Sequence, residues 1–134
     1  AIKMNGQVLP PAMANDMVHV LGVLPEIGLL TNPDAKLTAI ENIDGKDVYV
    51  ISKTGKVVST KTYFDAKTGL KVKESQTINM GGRTQNQDAT YSDYKDFGGV
   101  KFATKKSGAL GPQKVQFTLK DAKVNEGVSD ADFQ

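Results

Sequence analysis

The sequence contains no cysteine and only one histidine, His19. Without cysteine the chain can form no disulfide, no thiolate metal site and no cysteine nucleophile. A single histidine also falls short of the ligand set that catalytic zinc commonly uses, and no Gly-x-Ser-x-Gly motif provides a serine nucleophile. The paired carboxylates Asp93 and Asp96 lie at the end of a predicted strand, where solvation is the default. We therefore expect no catalytic residue, no metal site and no cofactor in this chain, which is not an enzyme by itself.

Charge of one sign is also lacking. Seventeen basic residues against fifteen acidic residues leave a formal net charge of +2, and Arg83 is the only arginine. Surfaces that bind phosphates or bases normally favour arginine for its bidentate geometry. The lysines recur on predicted strand faces that we expect to be solvated, such as Lys71 and Lys73. The composition therefore predicts no nucleic-acid partner.

No long hydrophobic run occurs. The longest mostly apolar stretch, Met17 to Leu24, is broken by Pro25 and is shorter than the roughly 20 residues that a transmembrane helix needs. The N-terminus, Ala1 to Gln7, has neither the pattern of a signal peptide nor an initiator methionine. The length of 134 residues fits one domain, residues 1–134. We expect this domain to be the excised C-terminal part of a longer protein.

The first part of the chain has the periodicity of a helix. Pro10 and Pro11 suit its first turn, and Pro25 ends it. Apolar residues recur at helical spacing between these prolines and form one stripe: Met13, Met17, Val20, Leu21 and Leu24.

From Lys36 onward the pattern is that of strands joined by short turns. Asp44-Gly45 is a strong hairpin signal, and Asp65 to Gly69 is typical of a hairpin loop that ends on a left-handed glycine. Short turns between consecutive strands imply antiparallel pairing. The predicted fold class is α+β: a curved antiparallel sheet, a half-barrel meander of about seven strands, packed on the N-terminal helix.

The apolar helix stripe and the sheet residues that would face it form a candidate pocket or core. One interpretation is a plain helix-on-sheet core. The other is a pocket for an acyl chain, since methionine adapts to variable shapes. The residues concerned are Met13, Met17, Val20, Leu21, Leu24, Val48, Val50, Leu70, Val72, Phe102 and Phe117.

Three strand segments resemble the outer-membrane lipoprotein carrier (Lol-type) superfamily. They are VYVISKTGKVVSTKTYFDAKTGLKVKESQT, TYSDYKDFGGVKFATK and VQFTLKDAKVNEGVSDADF. The resemblance implies a curved antiparallel half-barrel around helices. Ala103 stands where that pattern often has proline, and the upstream strands of a full carrier are absent.

A second resemblance covers almost the whole chain. Gly6-Gln7, LPEIGLL, LTAIENIDGKDVYVI and GALGPQKVQF together are similar to a C-terminal module of insulinase-type (pitrilysin-like) zinc peptidases of Gram-negative bacteria. The zinc motif His-x-x-Glu-His of those peptidases is absent here, so no catalytic residue carries over. The resemblance implies a peptidase-like parent and a periplasmic or outer-membrane-associated location.

The leading hypothesis is a non-catalytic accessory domain of a periplasmic zinc-peptidase-like protein. It would dock parent peptidase domains, a protein partner or an extended chain, and an open sheet edge could accept a strand or a second copy in a homodimer. The alternative is a carrier or sensor that binds a hydrophobic ligand, such as lipid or a lipoprotein acyl chain. An apolar cavity would favour the carrier, whereas a filled core with an exposed apolar edge would favour docking.

Overall fold

The computed structural model describes residues 3–4, 7–8, 10–11, 14, 26–80, 82–110 and 113–124. A two-stranded ladder joins β1 (Lys3–Met4) to β2 (Gln7–Val8), and the short helix α1 covers Ile27–Thr31. Seven further strands form one sheet: β3 (Ala35–Ile43), β4 (Lys46–Lys53), β5 (Val58–Asp65), β6 (Lys71–Met80), β7 (Arg83–Phe97), β8 (Val100–Leu110) and β9 (Gln113–Thr118).

The seven strands lie in sequence order, so that each is a neighbour of the next along the chain. The ladders whose register is described are antiparallel. The predicted antiparallel meander of seven strands is therefore confirmed. In this order β3 and β9 are the two edges of the sheet.

The packing of an N-terminal helix on the sheet is the part of the predicted fold that the structure does not support. The backbone N–H of Ala14 donates to the carbonyl of Pro10 at 2.9 Å, which is one α-helical turn. The apolar stripe lies outside the described residues: Met13, Met17, Val20, Leu21 and Leu24. Helix among the described residues is minimal, and α1 buries none of its five residues. Its side chains Ile27 and Leu30 are exposed, and Leu29 is half-buried.

Two of the predicted turns are confirmed. Asp44 and Gly45 join β3 to β4 with φ values of 51° and 80°, the left-handed conformation that a two-residue hairpin turn requires. Gly69, with φ of 70°, closes the loop between β5 and β6 by donating its N–H to the carbonyl of Asp65 at 2.8 Å. Glycine adopts this conformation without the steric penalty that a Cβ would add.

Strand alternation gives β4 two distinct faces. Val48 and Val50 lie on one face, which we call the core face, and both are only 1% exposed. They pack with Tyr63 of β5, and three partly buried residues surround this cluster: Ala39, Ile43 and Val72. The hydrophobic core of the described residues is therefore small.

Strands β7 and β8 both include segments with weak strand propensity. The segment from Arg83 to Ala89 is polar and lacks strand alternation, yet it belongs to β7. Side chains of this segment bond to β6: Thr77 Oγ1 donates to Asn86 Oδ1 at 3.0 Å. Similarly, Gly108 has low intrinsic strand propensity but pairs with Val115 within the ladder of β8 and β9. Pairing with a neighbouring strand overrides weak local propensity at both places.

The chain divides into two compact units, Ala1–Asp88 and Ala89–Gln134, with the boundary inside β7. The first unit holds the cluster of Val48, Val50 and Tyr63. In the second unit Phe97 and Phe102 make an edge-to-face contact with ring centroids 6.2 Å apart. Asp93 interrupts β7 there with a φ of 54°, and its carbonyl accepts a hydrogen bond from the buried hydroxyl of Thr104 at 2.6 Å.

Candidate functional site

An exposed group of apolar side chains lies at the β3 edge of the sheet. Leu37, Ile40 and Tyr49 are 62%, 66% and 40% exposed. Register pairs Leu37 with Ile51, Ile40 with Tyr49, and Tyr49 with Phe64, so the half-buried Ile51 and Phe64 adjoin the three exposed side chains. We call these five residues the apolar edge patch. Exposed apolar clusters of this kind mark interaction surfaces in soluble proteins.

A β-bulge in β3 determines which side chains belong to the patch. The register shifts between Leu37 and Ala39, so Thr38 is the extra residue. Its hydroxyl shares a hydrogen bond with that of Ser52 at 2.8 Å. Beyond the bulge, Ala39 packs on the core face while Ile40 stays exposed. The apolar edge patch therefore lies on the face of the sheet opposite to the core face.

The core face also carries a groove with a volume of about 450 Å³. It is lined mainly by polar residues of β4 to β7, together with Lys53, Lys61 and Tyr63. Register places Ser52, Lys61 and Ser75 in one row across three strands, and Ser59 beside Thr77 in the next. We call this feature the polar groove. Its lining differs from the apolar pocket that a lipid carrier needs.

Asp88 is the acidic residue among those that line the polar groove. Its Oδ2 lies 3.1 Å from Lys73 Nζ. The pKa of Asp88 is lowered mainly by a hydrogen bond from the Ser75 hydroxyl. A hydrogen bond from Lys73 and its positive charge lower the pKa further, whereas burial acts in the opposite direction. The ammonium of Lys73 also lies 5.5 Å from the ring centroid of Tyr63, at cation–π distance. Asp88 is therefore an ionised and already neutralised group, unlike a carboxylate poised to act as a general acid.

A buried ion cluster occupies the opposite face of β6. Lys71 forms ion pairs with Glu26 and with Glu74, the latter at 3.6 Å. Glu74 also accepts a hydrogen bond from Gln76 Nε2 at 2.7 Å. Lys71 is 6% exposed, so the expectation of a solvated lysine is wrong for this residue. The cluster joins the residue preceding α1 to the sheet, which is a structural role.

The structure places the predicted core residues of β4 to β6 close together. Val48 and Val50 are buried, and Val72 packs against them. Leu70 precedes β6 and is half-buried. None of these four residues lines the polar groove.

Two predicted core residues belong to the second unit. Phe102 is half-buried and contacts Phe97. Phe117 lies on the edge strand β9 and is 62% exposed, so it is not a core residue of the described chain. An edge strand has a neighbouring strand on one side only, which leaves Phe117 less covered than a residue of a central strand.

Sequence reasoning missed the polar groove and the Lys71 cluster. A signal for the groove was present, since Ser59, Lys61 and Tyr63 alternate in β5 as Ser75 and Thr77 do in β6. Such alternation indicates a shared face but leaves open whether the face is covered. No local signal distinguished the buried Lys71 from the exposed lysines.

Metal ligands do not cluster in the described ranges, where no group of three or more His, Cys, Asp or Glu side chains could hold an ion. In the same part of the chain, no helix has the length and apolar character to cross a membrane.

No protein-family model, curated protein or solved structure matches this chain. The resemblance to the peptidase C-terminal module therefore stays a prediction. Function has to be inferred from the surfaces that the fold presents.

Proposed function

We propose that this chain is a non-catalytic interaction domain that binds an extended segment of a partner protein along β3. The observation that carries the proposal is the apolar edge patch beside an edge strand. Leu37 and Ile40 of β3 are both more than half exposed. Full burial of such a side chain by a partner would contribute roughly 1.5 to 3 kcal/mol to the free energy of binding.

The edge geometry favours a strand as the bound segment. An edge strand leaves half of its backbone donors and acceptors without a ladder partner, and an added strand satisfies them. The nine residues of β3 span about 30 Å, long enough for a register to form. A strand with apolar residues at alternate positions would pair with β3 and cover Leu37 and Ile40 together.

A second copy of the chain suits this edge less well than a different strand. The bulge at Thr38 interrupts the regular course of β3. In a symmetric pair of β3 strands both members would carry the bulge, so the shared ladder would be interrupted twice. Edge bulges commonly protect native sheets against such self-pairing.

The docking hypothesis also agrees better with the described interior than the carrier alternative does. Val48, Val50 and Tyr63 pack against one another, so this cluster is filled. The groove beside it is lined by hydroxyl, amide and charged groups. A hydrophobic ligand would leave those groups without hydrogen bonds, at a cost of about 1 to 3 kcal/mol each.

The two resemblances, to Lol-type carriers and to the peptidase C-terminal module, supply the proposed biological context of this domain. In that context the chain is the accessory C-terminal domain of a periplasmic zinc-peptidase-like protein, with a Lol-type half-barrel fold. Its partner is the parent peptidase domains or an extended chain presented to them. The absence of cysteine and the single histidine agree with a domain that binds but does not catalyse.

A display library of linear nonapeptides tests the docking surface directly. The library is selected on the full chain and then counter-selected on the double variant Leu37→Lys, Ile40→Lys. We expect enriched peptides with apolar residues at alternate positions and amide chemical-shift changes in Ala35–Ile43. Both substituted residues are exposed, so the variant should keep the wild-type circular dichroism and melting temperature.

Phe117→Lys is the matched control, because Phe117 is an equally exposed apolar residue on the other edge strand. This variant should retain binding of the selected peptides. The proposal is wrong if no peptide family is enriched, or if the enriched peptides bind the β3 double variant as tightly as the wild type. If sedimentation showed that β3 pairs preferentially with a second copy of the chain, the strand bound at β3 would be that of a homodimer and the proposed partner segment would be wrong.

A further inference from the structure

The polar groove has the size and the polar lining of a small-molecule site. Its volume of about 450 Å³ falls within the range of known ligand pockets, which is roughly 300 to 1,000 Å³. It lies on the core face, whereas the apolar edge patch lies on the opposite face. A ligand in the groove would therefore be independent of the segment proposed to bind β3.

Lys61 is an exposed lysine that brings a positive charge to the groove, whose lining also includes the buried Lys53. Ser52 and Ser75 are its partners on the two neighbouring strands, so a hydroxyl flanks it on either side. Among the described residues no carboxylate forms an ion pair with Lys61. The carboxylate of Asp88 is bound instead to Lys73 at 3.1 Å. An anionic group beside Lys61 would therefore meet a positive charge that no described carboxylate neutralises.

The neighbouring row offers hydrogen bonds to hydroxyl groups. Asn86 Oδ1 accepts the hydroxyl proton of Thr77, which leaves the two Nδ2 hydrogens of Asn86 as donors. Ser59 faces the groove next to Thr77 and can both donate and accept. A ligand with several hydroxyl groups satisfies such a set, whereas a purely apolar molecule does not.

We propose that the polar groove binds a small hydroxylated anion, a polyol of monosaccharide size that bears a carboxylate or a phosphate. Lys61 pairs with the anionic group, and Ser59, Thr77 and Asn86 hydrogen-bond to the hydroxyl groups. The Tyr63 side of the groove, next to the apolar cluster, contacts the carbon skeleton. The mode of recognition is binding without chemistry, because Asp88 is neutralised by Lys73.

Amide chemical-shift titrations of the full chain test this site, with D-gluconate and glucose 6-phosphate as the anionic probes. D-glucose serves as the neutral probe of similar size and inorganic phosphate as the anion without a polyol. We expect saturable shifts in the amides of Lys61, Ser75 and Asn86 with at least one anionic polyol. D-glucose should bind at least about tenfold more weakly because it lacks the charge-assisted contact with Lys61. Phosphate should also bind at least about tenfold more weakly because it lacks the hydroxyl groups that would bond to Ser59, Thr77 and Asn86.

Lys61→Gln is the diagnostic variant and Lys67→Gln is its control, since Lys67 is an exposed lysine of a turn outside the groove. The first should weaken binding of the anionic polyol about tenfold, and the second should leave it unchanged. The proposal is wrong if D-glucose binds as tightly as the anionic polyols, or if neither anionic probe gives a saturable shift. It is also wrong if the shifts map outside the groove, or if Lys61→Gln binds the anionic polyol as tightly as the wild type does. Unchanged melting temperatures of both variants would show that the loss of binding is not a loss of fold.

Discussion

The carboxylate of Asp65 organises the loop between β5 and β6. Its Oδ1 accepts hydrogen bonds from the N–H of Thr68 at 2.8 Å, the N–H of Lys67 at 3.0 Å and the Thr68 hydroxyl at 3.0 Å. The two bonds from Thr68, joined by that from Lys67, lower the pKa of Asp65 below its usual value, although burial opposes them. The residue pattern Asp-x-x-Thr-Gly predicts this loop because each member has a local role.

Asp65→Asn should lower the melting temperature at neutral pH, because the amide accepts the same bonds without the negative charge that strengthens them. The pKa of Asp65 is lower in the folded chain than in the unfolded chain. Its contribution is therefore present above the unfolded pKa and is lost as the pH falls through the folded pKa. The gap between wild type and variant should narrow on acidification, as measured by thermal melts between pH 7 and pH 2.

Asp34→Asn is the control for this experiment. Asp34 is exposed, and its carboxylate makes no hydrogen bond among the described residues. Its substitution should leave the melting temperature nearly unchanged at every pH. A pH-independent gap for Asp65→Asn would show that the loop gains nothing from the charge of Asp65.

At the scale of elements, turns were more predictable than strand lengths. Asp44-Gly45 and the loop ending at Gly69 depend on local backbone conformation, which the residue types reveal directly. The start of β7 at Arg83 instead depends on pairing with β6, to which Asn86 bonds through Thr77. A polar segment with no alternation becomes a strand when a neighbouring strand satisfies its backbone.

Val50→Ala tests how much β4 contributes to the small core. Val50 is 1% exposed and packs with Val48 and Tyr63. We expect a loss of about 2 kcal/mol in the free energy of unfolding, from lost apolar burial plus the cavity that remains. Urea unfolding monitored by circular dichroism measures the difference.

Leu30→Ala provides the comparison, because Leu30 of α1 is almost fully exposed. It should change the free energy of unfolding by less than about 0.5 kcal/mol. A loss at Leu30 equal to that at Val50 would mean that α1 is packed in solution and that the core extends beyond the β4–β5 cluster.

At the scale of the whole molecule, the described part of the chain buries six polar or charged residues and only four apolar ones. Lys53, Thr60, Thr62, Asp65, Lys71 and Thr104 are buried, against Val48, Val50, Val58 and Tyr63. Bonds such as those of Lys71 with Glu26 and Glu74 compensate for the cost of burying charge. The two compact units of the chain therefore rely on satisfied polar groups as well as on apolar packing.

Zinc should neither stabilise the chain nor confer peptidase activity on it. Stabilisation by a metal requires preferential binding to the folded state, and a chain with one histidine and no cysteine has few strong zinc ligands. We expect identical melting temperatures in excess zinc chloride and in EDTA, and no cleavage of casein in either. A zinc-dependent rise in melting temperature accompanied by casein cleavage would contradict the accessory role.

The sequence by itself determined the absence of cysteine chemistry, the positions of the tight turns and the order of seven antiparallel strands. These properties depend on composition, on local backbone preferences and on connections too short for parallel pairing. Only the tertiary structure decided that Lys71 is buried, that Phe117 is exposed and that Leu37 and Ile40 lie uncovered at an edge. Alternation divides a strand into two faces, but distant residues decide which face is covered, and their positions depend on the assembled sheet.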